Sequence, residues 1–594
     1  MALTLLLMNL VLGTWWPRPA APEVKLSINY VLRVDTADLT ALHVRMQIAN
    51  APREFTLAAH AHPEYDDKYW RYIEGMRAAG GQVTRKDSVL WQVRSAADAI
   101  TIDYRVRLPT APAPRAAWRA HLMATGGLVG GPHAFLYVVG AERVPASVTL
   151  QLPAGWTNAS GLERRAGVLH APDIFTLMES PILVGRLRAW QFDVARVPHR
   201  VFYLPAPNAA AFDSTAFVQG IQRIVEQTVR VFGSTPYQTY TFLMIDDAYG
   251  GLEHPNSVTL GARSSELAKN SYALTRELAH EFFHTWNLMR IRPIEYRGVD
   301  YRVQPPVPSL WFSEGMSIFY ADLLMRRAGF IMEHPTRVVH LKNLLTRYYS
   351  DPGYDRFSAE AISRVEYNSL PGSLGNYDPS THLIGEVIAV ALDARVRAAT
   401  AGRRTLADVM RAMDVRHARL GFTSADVERV VHEVCECAVN KFFAAHVRGA
   451  GRIDMNSLLQ PLGLRLLTRR VPVTNERGEA ERDLRVQAWQ PSPQDTLRLR
   501  FWNPESIWVR AGLNTNDRVL RVNGAEVKTW PDFRARIAAV PMGGPVELDI
   551  VRGREARTVK FVMSGFEQVR VDVEELEGMS TEQRRLLDAW SEGR

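Results

Sequence analysis

The chain has 594 residues, 46% of them hydrophobic and 23% charged, with a formal net charge of +8. That length is too great for one core and sets an expectation of several domains, and the composition is that of an ordinary globular protein rather than a disordered one. The arginines are scattered and no basic run stands out, which argues against nucleic acid as a partner, and no internal stretch is long and apolar enough to predict stable membrane insertion.

In chain order, Ala2 to Gly13 is an apolar run of signal-peptide length, and Pro17 to Pro22 offers a cleavage region, but no basic residue precedes the run. Residues 1–22 are therefore a candidate export segment. This makes a periplasmic or secreted protein the expectation and a cytoplasmic one the alternative. From Lys25 to Leu204, segments such as LSINYVLRV, AITIDYRVRL and ASVTLQL alternate apolar and polar residues, predicting a β-rich, sandwich-like domain over 23–204. From Pro205 the spacing changes to three and four. STAFVQGIQRIVEQTVRVFG, SYALTRELAHEFFHTWNLM, EGMSIFYADLLMRRAG and HLIGEVIAVALDARVRAAT each predict an amphipathic helix, with Gly329 as a stop. This mainly helical domain is placed at 205–464. Short strands return from Leu467 to Met563 around the turn signal Asn523-Gly524, giving a third domain at 465–566 and a charged helix or tail at 567–594. The two cysteines, Cys435 and Cys437, fall in a predicted helix, where residues two apart do not face each other; they are expected to be unpaired. The fold class expected is multidomain α+β.

The chemistry concentrates in His280-Glu281-Phe282-Phe283-His284, an H-E-x-x-H sequence. Two imidazoles four apart on a helix lie on one face and can share a cation, with the intervening carboxylate beside a metal-bound water. The competing reading is a helix whose histidines merely pack. Trp311-Phe312-Ser313-Glu314-Gly315 opens the next helical stretch and supplies a third ligand, Glu314, completing a hydrolytic set of two histidines and one carboxylate for one Zn2+ per chain. Alternatively, Glu314 only complements a helix dipole. Glu281 is the candidate general base.

The sequence LAHEFFHTWNLMRIRP followed by LWFSEGMSIFYADLL resembles the PDZ-containing glycyl aminopeptidase family of zinc metallopeptidases, of the gluzincin type. The likeness includes Trp286-Asn287, the Arg290 to Pro293 segment and W-x-x-E-G. The run Gly250, Gly251, Leu252, Glu253 and His254 looks like the exopeptidase motif of related aminopeptidases. The resemblance implies a β-rich N-terminal domain, a thermolysin-like catalytic domain and a C-terminal PDZ-like domain. It also implies removal of small N-terminal residues from peptides with a free N-terminus, Glu253 binding the α-amino group. A peptide or protein terminus at the PDZ-like domain is a further candidate partner. One departure stands out: where the family carries paired tyrosines, this chain has Thr381 and His382, leaving His382 or the nearby Tyr377 as candidates to stabilise the oxyanion. Two other functions stay open: an endopeptidase on the same scaffold, and a PDZ-bearing binding protein with an impaired peptidase domain. Glu277, Asn287, Ser317 and Asp322 are candidates by spacing to support the metal ligands.

Overall fold

The computed structural model describes residues 26–60, 69–108, 115–297, 305–330, 336–364, 379–490 and 495–593. Residues 1–22 and Tyr377 thus lie outside the described part. The protein is multidomain α+β, with a β-rich N-terminal domain and a helical catalytic domain. The N-terminal domain packs a 7-stranded sheet and two 4-stranded sheets around one core that includes Tyr30, Leu32, Met46, Trp91, Ile102 and Val184. Alternation fixes which face is inside: along Ser27–Asp35, every second residue from Ile28 to Val34 is buried.

The same period of two joins this domain to the next. In the strand Ile182–Gly185, Ile182 and Val184 enter the N-terminal core. Leu183 points the other way, into a second cluster with Leu204, Leu243 and Ile245. Those three belong to the 5-stranded sheet of the catalytic domain, which runs Arg188–Val194, Val197–Leu204, Tyr240–Ile245, Ser257–Gly261, Gly251–Glu253. The strand Tyr240–Ile245 is buried on both faces, as a strand paired in parallel on both sides requires. The hairpin 188–204 therefore pairs with catalytic strands. The change of character at residue 205 marks where helices begin rather than the seam between two cores.

Helices cover the other face of this sheet. Leu310–Arg327 is buried on nearly all sides, so its sequence shows a weak stripe where an amphipathic helix was expected. It ends before Gly329, whose φ of 72° makes it the stop predicted. It crosses the helix Thr381–Ala399 at two glycines. A Cβ on Gly315 would lie 2.2 Å from the Gly385 carbonyl carbon, and one on Gly385 2.2 Å from the Trp311 carbonyl oxygen. The helices are as close as backbones allow.

The stretch around the cysteines is not one helix. Ser424–Cys435 ends at Cys435, Glu436 takes left-handed backbone with φ of 52°, and Cys435 and Cys437 are bonded. The reversal turns the two sulfurs to the same side, which continuous helix would prevent; this corrects the unpaired reading. Beyond the catalytic domain, Leu464–Pro472 pairs antiparallel with Glu567–Glu575. The module between them has a 6-stranded sheet and its own core around Trp508, Phe533 and Leu548. Asn523 and Gly524, with φ of 48° and 77°, form the two-residue hairpin loop their sequence predicts. The final helix Thr581–Ser591 returns to the catalytic core through Leu586, Leu587 and Trp590.

Replacing Gly385 by Ala should force the crossing helices apart and lower unfolding free energy by about 1–3 kcal/mol, the usual penalty of overpacking. Denaturant unfolding that matches wild type would show that the crossing is not this tight.

Candidate metal centre

The helix Thr275–Phe283 carries His280, and His284 follows at its C-cap, still in right-handed helical conformation with φ −59°. Their Nε2 atoms are 3.0 Å apart. The helix stops here, short of the longer run its apolar spacing suggested. Leu288 takes a φ of 138°, rare for an L residue and typical of a functionally constrained backbone. The resulting turn brings the Asn287 carbonyl 2.9 Å from His284 Nδ1. A carbonyl only accepts, so His284 Nδ1 carries a proton, and Nε2 is the nitrogen left to bind a cation once its own proton is displaced. Ser317 Oγ is 3.1 Å from the same nitrogen. The Asn287 side chain donates to the Ser313 carbonyl at 2.8 Å and the Phe312 carbonyl at 3.3 Å, tying this turn to the helix that bears Glu314.

Glu314 stands in the second turn of Leu310–Arg327. Its Oε2 is 3.4 Å from His280 Nε2 and 3.3 Å from His284 Nε2. His382, at the start of Thr381–Ala399, brings a ring nitrogen to 3.0 Å from the same oxygen, with its ring stacked beside His280. Glu253, in the edge strand Gly251–Glu253, is buried. Glu281 is buried as well, its chain against the backbone of Gly251, where a Cβ would lie 2.5 Å from Glu281 Cγ. Gly250 adopts φ of 69°, which favours glycine. His254, one residue past Glu253, is buried with Nδ1 3.5 Å from Glu179 of the N-terminal domain. Of the supporting candidates, Asn287 and Ser317 touch His284 as described, Asp322 pairs with Arg326 at 3.0 Å, and Glu277 lies within electrostatic reach of His382 and His284.

Charge here is out of balance. Burial pushes Glu281 well above the usual carboxylate range, and Glu253 beside it adds to the effect. Glu253 is itself raised, chiefly by burial. Burial pulls His284 down, but Glu314 and Glu253 outweigh it and raise it to about 10. His280 falls to about 4 through burial and the neighbouring His284. Such a cluster of carboxylates calls for positive charge at its centre. A tetrahedral zinc with ligand bonds of about 2.0–2.1 Å needs ligand-to-ligand edges of about 3.3 Å. The edges among His280, His284 and Glu314, from 3.0 to 3.4 Å, match. The residues present fit zinc, and His382, its ring nitrogen 3.0 Å from Glu314, stands within reach of the same position. Trp118, which packs its ring over Gly250, had no signal in the sequence. It comes from a distant strand pairing that no local pattern encodes.

Asn287→Ala, which releases the turn from the Glu314 helix, should weaken zinc affinity by roughly 10–100-fold in a chelator competition. Unchanged affinity would show that the turn does not set the ligand geometry.

Residues 274–380 match the model of the M61 glycyl aminopeptidase family, and residues 29–186 match that of the M61 peptidase N-terminal domain. Among solved structures, the chain is similar to an aminopeptidase N family protein from Idiomarina loihiensis, with a TM-score of 0.75 and 21% identity over 95% of this chain and 100% of that one. A substrate-bound variant of an M1 zinc metallopeptidase from Deinococcus radiodurans is more distant, at TM-score 0.44 and 15% identity over 69% of this chain and 92% of that one. No curated protein matches in sequence. Over these two segments the chain is similar to the M61 glycyl aminopeptidases, and it is a zinc metallopeptidase.

Proposed function

We propose that the protein is an aminopeptidase that removes small N-terminal residues, glycine or alanine, from peptides, using one zinc per chain held by His280, His284 and Glu314. The observation that carries this reading is Glu253, a buried carboxylate within electrostatic reach of the ligand cluster. It lies in the outermost strand of the catalytic sheet. An outermost strand has unpaired N–H and C=O groups along one side, to which an extended peptide can add. A peptide on this edge with its α-ammonium at Glu253 has its first peptide bond beside Glu281 and the ligands. The small-residue preference rests on the family likeness.

A bound zinc would supply Lewis acidity, lowering the pKa of a water and polarising the scissile carbonyl. The remaining roles fall to side chains. Glu281 takes the proton of the attacking water and returns it to the leaving amine. Its position against Gly251 keeps it facing the peptide edge, and only a residue without a side chain leaves that room. Glu253 holds the ammonium and fixes which bond is presented, so reach along the chain stops at the first residue. His382 is the candidate donor to the oxyanion in place of the family's tyrosine, since it reaches the ligand cluster from a separate helix and keeps 40% of its side chain exposed. His254, the last residue of the run 250–254, stays a candidate substrate-binding residue, buried beside Glu179.

We also read the C-terminal module as PDZ-like, with a packing rather than a terminus-binding role. Asp483 fills the start of the helix Ile507–Arg510: the Ile507 N–H donates to its carboxylate at 2.8 Å and the Trp508 ring N–H to its carbonyl at 2.7 Å. A terminal carboxylate would compete with that internal one.

Glycine should be released from Gly-Ala-Ala and not from its N-acetylated form. Equal cleavage of the blocked peptide would favour an endopeptidase. Glu281→Gln should lower kcat by roughly 10²–10⁴-fold while zinc stays bound; retained turnover removes Glu281 from the mechanism. His382→Phe should lower kcat/KM at unchanged zinc content, and a normal value would exclude it as the oxyanion donor.

A further inference from the structure

Three features sit in order along the edge strand and the turn before it. Glu253 is at one end; Glu281 packs on Gly251; and the rings of Trp118 and Tyr249 meet at Gly250. The strand pairs antiparallel with Ser257–Gly261, and among the described residues its other side has no strand partner. A peptide anchored by its ammonium at Glu253 runs back toward Gly250, antiparallel to the strand. At about 3.3 Å per residue, the distance from Glu253 to Gly250 is about 10 Å. The first peptide bond then lies near Glu281, and the second or third side chain arrives at the aromatic pair.

This pair is built rather than incidental. Arg115 and Ala116 of the N-terminal domain pair in parallel with Ala248 and Tyr249 of the catalytic domain. The Ala117 N–H donates to the Tyr249 carbonyl at 3.0 Å. Ala117 and Ala248 are buried in the cluster shared by the two domains, so Trp118 follows from a fixed base. Its ring lies where a Cβ on Gly250 would be 2.8 Å from Cζ3, and Gly250, with φ of 69°, is the residue that permits both the contact and the turn. Tyr249 meets Trp118 edge-on, ring centroids 6.2 Å apart. Tyr249 is nevertheless 51% exposed, although large aromatics are mostly covered in this protein. An exposed ring held by a half-buried one, at the downstream end of a peptide-binding edge, offers an apolar surface to a passing side chain.

We propose that Trp118 and Tyr249 form a subsite for the second or third residue of the peptide, selecting an aromatic or large aliphatic side chain there. The protein would then read two features of its substrate: a small first residue and an apolar one downstream. The N-terminal domain contributes half of the second reading. This inference rests on the aminopeptidase reading, because the direction of the peptide comes from Glu253.

The test compares kcat/KM for Gly-Ala-Ala, Gly-Phe-Ala and Gly-Ala-Phe in wild type, Trp118→Ala and Tyr249→Ala. Wild type should favour one of the phenylalanine peptides by about ten-fold, mostly through KM, in line with the worth of a buried aromatic contact. Each substitution should reduce the preference to about two-fold or less. Because Tyr249 is exposed, its variant carries the test if Trp118→Ala does not fold. Equal kcat/KM for the three peptides in wild type, or a preference that survives both substitutions, overturns the subsite and leaves the aminopeptidase reading standing. No glycine release from any of the three overturns both.

Discussion

The contact on which the rest depends is the crossing of two helices at Gly315 and Gly385. One glycine follows Glu314 and the other lies three residues beyond His382, so the distance between the helices sets how far each side chain reaches toward the imidazoles. Glu314 Oε2 collects nitrogens from His280, His284 and His382, all within 3.4 Å. Any side chain at the crossing would act as a wedge, and interiors packed to crystal density absorb such wedges poorly. The W-x-x-E-G sequence thus joins two requirements in neighbouring positions: a carboxylate for the cation, and the absence of a side chain that lets a second helix lie beside it.

Electrostatics gives the site its purpose. Burying Glu253, Glu281 and Glu314 together is unfavourable unless positive charge accompanies them. Among the described residues an imidazole proton answers that need: Glu314 and Glu253 raise His284, while burial and the neighbouring His284 lower His280. A divalent cation resolves both: it balances the carboxylates and lets each imidazole present a lone pair. The hydrogen bond from His284 Nδ1 to the Asn287 carbonyl holds the ring with Nε2 toward the ion.

Much of this was legible in the residues, for identifiable reasons. H-E-x-x-H is a local pattern, and helical geometry alone places His280 and His284 on one face. Glu314 was legible because its motif opens the next helix. Strand alternation gave the β-rich domain, and Asn523-Gly524 gave a hairpin turn of the C-terminal module. What escaped were features set by distant pairing or by breaks in regularity. The hairpin 188–204 reads as β-structure, but nothing local says that it joins the catalytic sheet. The helix through His284 looked longer, because Trp286 and Leu288 continue an apolar spacing that the turn at Leu288 uses for core packing instead. Cys435 and Cys437 looked unable to meet because the left-handed Glu436 between them carries no sequence signal. Trp118 was silent for the same reason as the hairpin.

The most direct test of the convergence is anomalous scattering at the zinc edge from crystals of the metal-loaded protein. The account predicts a single peak within about 2.0–2.2 Å of His280 Nε2, His284 Nε2 and a Glu314 carboxylate oxygen, with a fourth position free of protein atoms. A peak elsewhere in the chain, or a metal that leaves Glu314 outside bonding distance, would contradict it.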